Sequence, residues 1–319
     1  MSSFQDKLRR IAQAENIHAS SLTFLSDLSS EDRAILREAW PQFPAERRRR
    51  IVSDLVTMAE DNIELDFRQV FLISLEDSDA QVRLTAIEGL YEDESKLLLG
   101  KLVRILRNDP NTKVREAAAS ALGRFTYRAQ CEQLAPPQAE ALRQALLESA
   151  RDQNEKPDVR RRAIEALGYL DGDGEVEALI AEAYERGGTQ AESALFAMGR
   201  SMDPRWTQIV LDELQSDKPA MRYEAARAAG EMVLEEALPQ LVRMVNDKDP
   251  EVRLAAVWAL GQIGGKPAAE ALAPVLNSPE PAMREAAQEA MEEIAFASDP
   301  LKFAGDFGTY STNQKPKST

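Results

Sequence analysis

Side chains that could do covalent or metal chemistry are few in this sequence. His18 is the only histidine and Cys131 the only cysteine among 319 residues. One histidine rules out most histidine-based metal sites and histidine-containing catalytic triads. Cys131 has no activating base unless the fold brings His18 to it, so it reads as a loop or core thiol. The stretch DGDGEVEALIAE spaces Asp171, Asp173, Glu175 and Glu182 like a calcium loop. Its sixth position is Val176, however, where such a loop needs glycine, so the segment reads as a turn entering a helix. Arg47 to Arg50 form a basic run, but four successive residues point all round a helix, so the run reads as a solvated helix start. No catalytic residue, metal or cofactor is nominated.

The remaining chemistry is that of recognition, and it depends on a repeat. An apolar residue, an arginine, then alanines and Leu-Gly return as VRLTAIEGLY (82–91), VREAAASALG (114–123), VRRRAIEALG (159–168), MRYEAARAAG (221–230), VRLAAVWALG (252–261) and MREAAQEAME (283–292). A divergent copy, QAESALFAMG, occupies 190–199 and has Ala191 in place of the arginine. Gly168, Gly199, Gly230 and Gly261 stand 31 residues apart, a period that marks a helical repeat array.

Each copy has two amphipathic halves. In the second, Val252, Ala255, Ala256, Ala259, Leu260 and Ile263 share one helical face. Pro157, Pro219, Pro250 and Pro281 fall three residues before an arginine, where a helix start tolerates proline; the divergent copy has Gly187-Gly188 there. Six residues before the arginines stand Asp77, Asp109, Asn154, Ser216, Asp247 and Ser278, read as turn or capping residues. The arginines (Arg83, Arg115, Arg160, Arg222, Arg253 and Arg284) are expected to form a ladder tying neighbouring turns, with Arg253 holding Asp247.

The pattern Asp/Asn, Pro-x-Val-Arg-x-x-Ala-x-x-Ala-Leu-Gly resembles the HEAT family, in particular the short-period type of phycobilin lyases, over residues 67–297. The resemblance implies an all-α fold: a right-handed α-solenoid of about seven HEAT-like helical hairpins with a helical N-terminal cap. It also implies that second helices line a concave face. It says little about function, because such repeats serve scaffolds, transport factors, lyases and a few enzymes. Deoxyhypusine hydroxylase, an iron enzyme built on HEAT repeats, depends on paired His-Glu motifs, and none occur here.

If the alanine face points inward, positions 254, 258 and 261 point the other way. The column of Leu254 holds Leu84, Glu116, Arg161, Glu192, Tyr223 and Glu285; that of Trp258 holds Glu88, Ser120, Glu165, Phe196, Arg227 and Glu289. Phe196, Tyr223, Arg227, Leu254 and Trp258 therefore gather on three adjacent repeats with carboxylates around them, the composition of an interface hot spot. Arg200, Arg205 and Trp206, beside the turn after the divergent helix, are the second candidates.

Residues 1–66 lack the repeat and read as short helices whose Leu36, Trp40, Phe43 and Leu55 pack on the first repeat as a cap; 298–319 read as a disordered polar tail. A formal charge of −15 disfavours nucleic acid, whose binding rests on neutralising phosphates. A single cysteine, no apolar leader in MSSFQDKLRR and no membrane-length apolar run point to the cytoplasm. The expected function is a non-enzymatic scaffold binding a protein or peptide on the concave face. The alternative is a lyase- or chaperone-like factor for a bilin-type chromophore or its carrier protein.

Overall fold

The computed structural model describes residues 3–14 and 17–298; among these the chain is helical and contains no strand. The polar tail expected at the C-terminus lies, from residue 299, outside the described residues. The helices are α1 (Phe4–Gln13), α2 (Ser30–Ala39), α3 (Ala45–Asp61), α4 (Arg68–Ser74), α5 (Ala80–Glu88), α6 (Lys96–Asn108), α7 (Thr112–Gln130), α8 (Pro136–Arg151) and α9 (Pro157–Leu167). They continue as α10 (Gly174–Arg186), α11 (Gly188–Ser201), α12 (Thr207–Glu213), α13 (Pro219–Glu231), α14 (Leu238–Met244), α15 (Pro250–Ile263), α16 (Gly265–Leu272) and α17 (Pro281–Ser298). The chain divides into two compact units, residues 1–167 and 168–319.

One packing rule recurs inside each unit. In the first, α4 pairs with α5, α6 with α7 and α8 with α9, and the second helices α5, α7 and α9 pack in sequence. In the second, α10, α12, α14 and α16 pair with α11, α13, α15 and α17, and these four second helices again pack in sequence. Small residues set the separation. A Cβ on Gly199 would lie 2.7 Å from the Cα of Ala228, and one on Gly261 would lie 2.9 Å from that of Ala290. Gly168 and Gly230 stand just as close to Ala197 and Ala259. Gly199, Gly230 and Gly261 thus each let the next second helix approach backbone to backbone. Position 261, expected to face away from the core, is instead buried in this contact.

The turn inside each hairpin divides two jobs that the sequence pattern alone leaves merged. Asp77, Asp109 and Asp247 accept the N–H of the residue two further on, at 2.8, 2.9 and 2.9 Å, and so hold the turn. That next residue (Asp79, Asn111 or Asp249) is the helix cap, accepting two backbone N–H groups of the second helix.

Four of the six arginines reach forward to the following turn. Arg83 donates to both carboxylate oxygens of Asp109 at 2.7 Å and to the Asp77 carbonyl at 2.8 Å. Arg115 grips Glu155, not Asn154, and the Asp109 carbonyl, each bond 2.7 Å. Arg160 is buried and donates to the Ala150 carbonyl at 3.3 Å. Arg222 holds the Asp247 carboxylate at 2.9 and 2.8 Å and the Ser216 carbonyl at 2.8 Å. The expected Arg253–Asp247 pair is therefore replaced. Arg253 takes only the Asp247 carbonyl, at 3.1 Å, and sends Nη2 to Glu280 at 2.6 Å. Arg284 donates to the Ser278 carbonyl at 2.8 Å. These bonds hold Asp247 and Glu155 below the usual carboxylate range.

The four-arginine run is a solvated helix start only in part: Arg49 and Arg50 are exposed, but Arg48 is not. Arg48 is buried and chelates Asp77 at 2.7 and 3.0 Å, and the indole N–H of Trp40 donates to the same carboxylate at 2.7 Å. Arg49 binds Asp79, whose carboxyl is lowered to about 2 mainly by that bond. Leu36, Phe43 and Leu55 are buried with Trp40.

Burial ranks these pairs. Arg83 and Asp109 side chains are 9% and 5% exposed, so removing the arginine strands a buried carboxylate, at a cost of about 3–5 kcal/mol. Glu280 is 54% exposed, and its pair with Arg253 is worth under about 1 kcal/mol. Arg83→Ala should therefore lower the urea midpoint far more than Arg253→Ala. Equal losses would show that the ladder does not work through buried carboxylates.

Candidate protein-interaction face

The candidate face is built within the second unit by the sides of α11, α13 and α15 that look away from their first helices. Residues four apart share a helix side, giving the rows Glu192–Phe196–Arg200, Tyr223–Arg227–Glu231 and Leu254–Trp258–Gln262. All are half-buried except Gln262, which is exposed.

The middle of this face is one connected set of charges and rings. The guanidinium of Arg227 lies 4.1 Å from the ring centre of Trp258. That of Arg200 lies 5.3 Å from Tyr169 and 5.1 Å from Phe196. Glu231 sits between the two arginines, 3.2 Å from Arg200 and 3.9 Å from Arg227. Its burial pushes its carboxyl above the ordinary glutamate range, and the arginines offset part of that rise. Arginine held over aromatic faces keeps its planar fork ordered, which lowers the entropy lost on binding a partner.

The structure thus joins Phe196, Arg200, Arg227 and Trp258, while Tyr223 and Leu254 stand one turn earlier on the same sides. Trp258 is not a free ring. It lies over Gly230, where a Cβ would meet its Cζ3 at 2.6 Å, so part of its area already serves helix packing. Trp206 is 6% exposed and belongs to the core. It ends the short turn Pro204–Trp206 before α12. Arg205 is exposed but tied to Glu177 and to Asp203, the latter at 2.6 Å, on the side of the first helices. Neither belongs to the network.

Sequence reading missed Glu231 and Tyr169. The signal was present: Tyr169, Arg200, Glu231 and Gln262 each follow a glycine of the 31-residue series. It also missed a feature of the helix ends. Met202 and Val233, again 31 residues apart, have φ of 53° and 51°, in the left-handed region, where glycine is the ordinary occupant. The position 31 residues further on holds Gly264, whose φ is also positive (72°) but whose ψ of −159° takes it out of the left-handed helical region. After α13 the Leu234 N–H bonds the Ala229 carbonyl at 3.0 Å, the closing bond that forces this conformation on Val233. A residue with a Cβ is disfavoured there by about 1–2 kcal/mol, and a β-branched one is an outlier.

Other chemistry-bearing residues lie elsewhere. Asp173 caps α10 by accepting the N–H groups of Glu175 and Val176. Cys131 is an exposed thiol after α7, and His18 precedes the turn Ala19–Ser21. Among the described residues no group of His, Cys, Asp and Glu is arranged to hold a metal ion, and no helix is long and apolar enough to cross a membrane.

An all-helical repeat protein is what these contacts define, with paired helices, glycine-spaced second helices and arginine-linked turns. The chain belongs to the HEAT-repeat family: the family model for HEAT repeats matches residues 69–149, 102–199 and 207–292. No curated protein matches the sequence. Among solved structures, yeast importin-beta (Kap95p) aligns at 14% identity and a TM-score of 0.52, over 92% of this chain and 46% of that one. A Kap95p structure concerned with the switch loops of RanGDP aligns at 16% identity and a TM-score of 0.50, over 91% and 45%. The chain thus spans about half the length of these relatives, and at such identities the likeness speaks for the fold alone.

The geometry separates the two leading aromatics. Trp258→Ala should lower stability by about 1–3 kcal/mol, through lost packing on Gly230 and Arg227. Tyr223→Ala should cost under about 1 kcal/mol. Chemical denaturation of the two variants measures this, and an unchanged midpoint for Trp258→Ala would remove the ring from the packing scheme.

Proposed function

We propose that this protein is a non-enzymatic scaffold that binds a protein or peptide partner across the second-helix face of residues 168–298. The HEAT resemblance supports reading that face as the concave one. The observation that carries this reading is the Arg200–Glu231–Arg227–Trp258 network, flanked by Tyr223 and Leu254. Large apolar and guanidinium groups are held in order and half-open across three consecutive repeats. Interface centres are enriched in such groups, and their burial under a partner recovers about 1.5–3 kcal/mol for each large side chain. The family supports the reading in general terms, since HEAT repeats present long, regular surfaces, and Kap95p is a binding protein whose attachment acts on the switch loops of RanGDP.

Residues 1–66 serve in this reading as the cap that closes the first repeat, anchored through Arg48 and Trp40 on Asp77. The single cysteine supports a reducing, cytoplasmic setting.

The test exploits the difference between packed and open positions. The double variant Tyr223→Ala/Leu254→Ala should lose capture of the native partner by at least about tenfold, with helical content and thermal midpoint kept. Undiminished capture by this variant would move the binding site off the second-helix face.

A further inference from the structure

Met202 and Val233 supply the starting observation. Both are apolar, both are exposed (58% and 48%), and both have the positive φ that glycine adopts without penalty. Met202 is the C-cap of α11 and Val233 lies just past the C-cap of α13, adjacent helices joined by the Gly199–Ala228 contact. Each lies two residues beyond a member of the central network, Arg200 or Glu231. Neither side chain contributes to the core. Backbone strain and exposed apolar surface thus coincide twice, one repeat apart, and glycine would serve the fold better at both places. Strain kept at an exposed position points towards use of the side chain.

Charge indicates what these side chains would meet. Residues 168–298 carry 24 acidic and 11 basic side chains, net −13, out of −15 for the chain. Asp203 directly follows Met202, and the exposed Glu235 and Glu236 follow Val233-Leu234. Arg205, the next cation along the chain from Met202, is already taken by Asp203 and Glu177. An apolar ridge bordered by carboxylates is complementary to a segment carrying both apolar and basic side chains. Anionic lipid and nucleic acid are repelled by the same field.

We infer that Met202 and Val233 form a docking ridge for a basic amphipathic segment of a partner protein, at the edge of the second-helix face. The inference rests on the reading of that face as the binding surface, and it names the partner's chemistry. The flexible Met202 side chain adapts to the segment's apolar side, Val233 supplies a fixed contact, and Glu235 and Glu236 receive its lysines or arginines.

The test uses the full chain and a fluorescent Lys/Leu amphipathic peptide of about 18 residues, five helical turns, with a Glu/Leu peptide of the same pattern as its control. Anisotropy should show salt-sensitive binding of the Lys/Leu peptide only. Met202→Gly/Val233→Gly should weaken it by at least about tenfold, although net charge is unchanged. The same variant should match or exceed the wild type in urea midpoint, because glycine relieves the strain, so loss of binding could not be ascribed to unfolding. Equal affinity of the double glycine variant and the wild type would overturn the ridge. So would equal binding of the Glu/Leu peptide, or no binding of the Lys/Leu peptide. A loss confined to Tyr223→Ala/Leu254→Ala, with the glycine variant unaffected, would also overturn it while leaving the second-helix face standing.

Discussion

Close approach of successive second helices is the constraint on which the second unit depends. Gly168, Gly199, Gly230 and Gly261 each face an alanine of the next helix across a gap that holds no Cβ. That contact fixes separation and register together, because an alanine cannot slide past a glycine notch without meeting larger neighbours. Register then propagates outward. Once Gly199 sits on Ala228 and Gly230 on Ala259, Arg200, Glu231, Arg227 and Trp258 fall within reach of one another. The charged and aromatic face follows from the glycine series.

The arginine ladder works at the turns, where helix packing alone gives little. Each turn leaves backbone carbonyls and an aspartate side by side, and a guanidinium can satisfy a carbonyl of its own turn and a carboxylate of the next. Along the chain the carboxylate partners shift from buried Asp77 and Asp109 to exposed Glu280. The last arginine, Arg284, bonds the carbonyls of Ser278 and Pro279 in its own turn. Glycine contacts and arginine bonds are thus complementary: one sets helix spacing, the other joins the turns.

The repeat was legible in the sequence because its carriers have no substitutes. Glycine is needed for the approach, proline and aspartate for the turn, and alanine for the facing side. Direction of pairing was not legible. Arg253 stands six residues from Asp247 in sequence, yet the carboxylate is claimed by Arg222 from the preceding turn, a preference set in three dimensions. Arg48 was hidden among three other arginines, and only the buried Asp77 distinguishes it. At the candidate face, the Phe196, Arg227 and Trp258 column could be read from spacing. Trp206 could not be placed, since indole serves cores and interfaces alike. Val233 was opaque for a different reason: its positive φ contradicts its residue type, so nothing in the sequence marks it.

Recognition through the second-helix face is the central claim, and site-specific photo-crosslinking in the native cell tests it most directly. A photoreactive residue at Tyr223, on that face, should give one discrete crosslinked protein product. The same residue at the exposed Gln208 of α12, on the first-helix side, should give none. A product of equal yield from Gln208, or from Gln208 alone, would contradict the account.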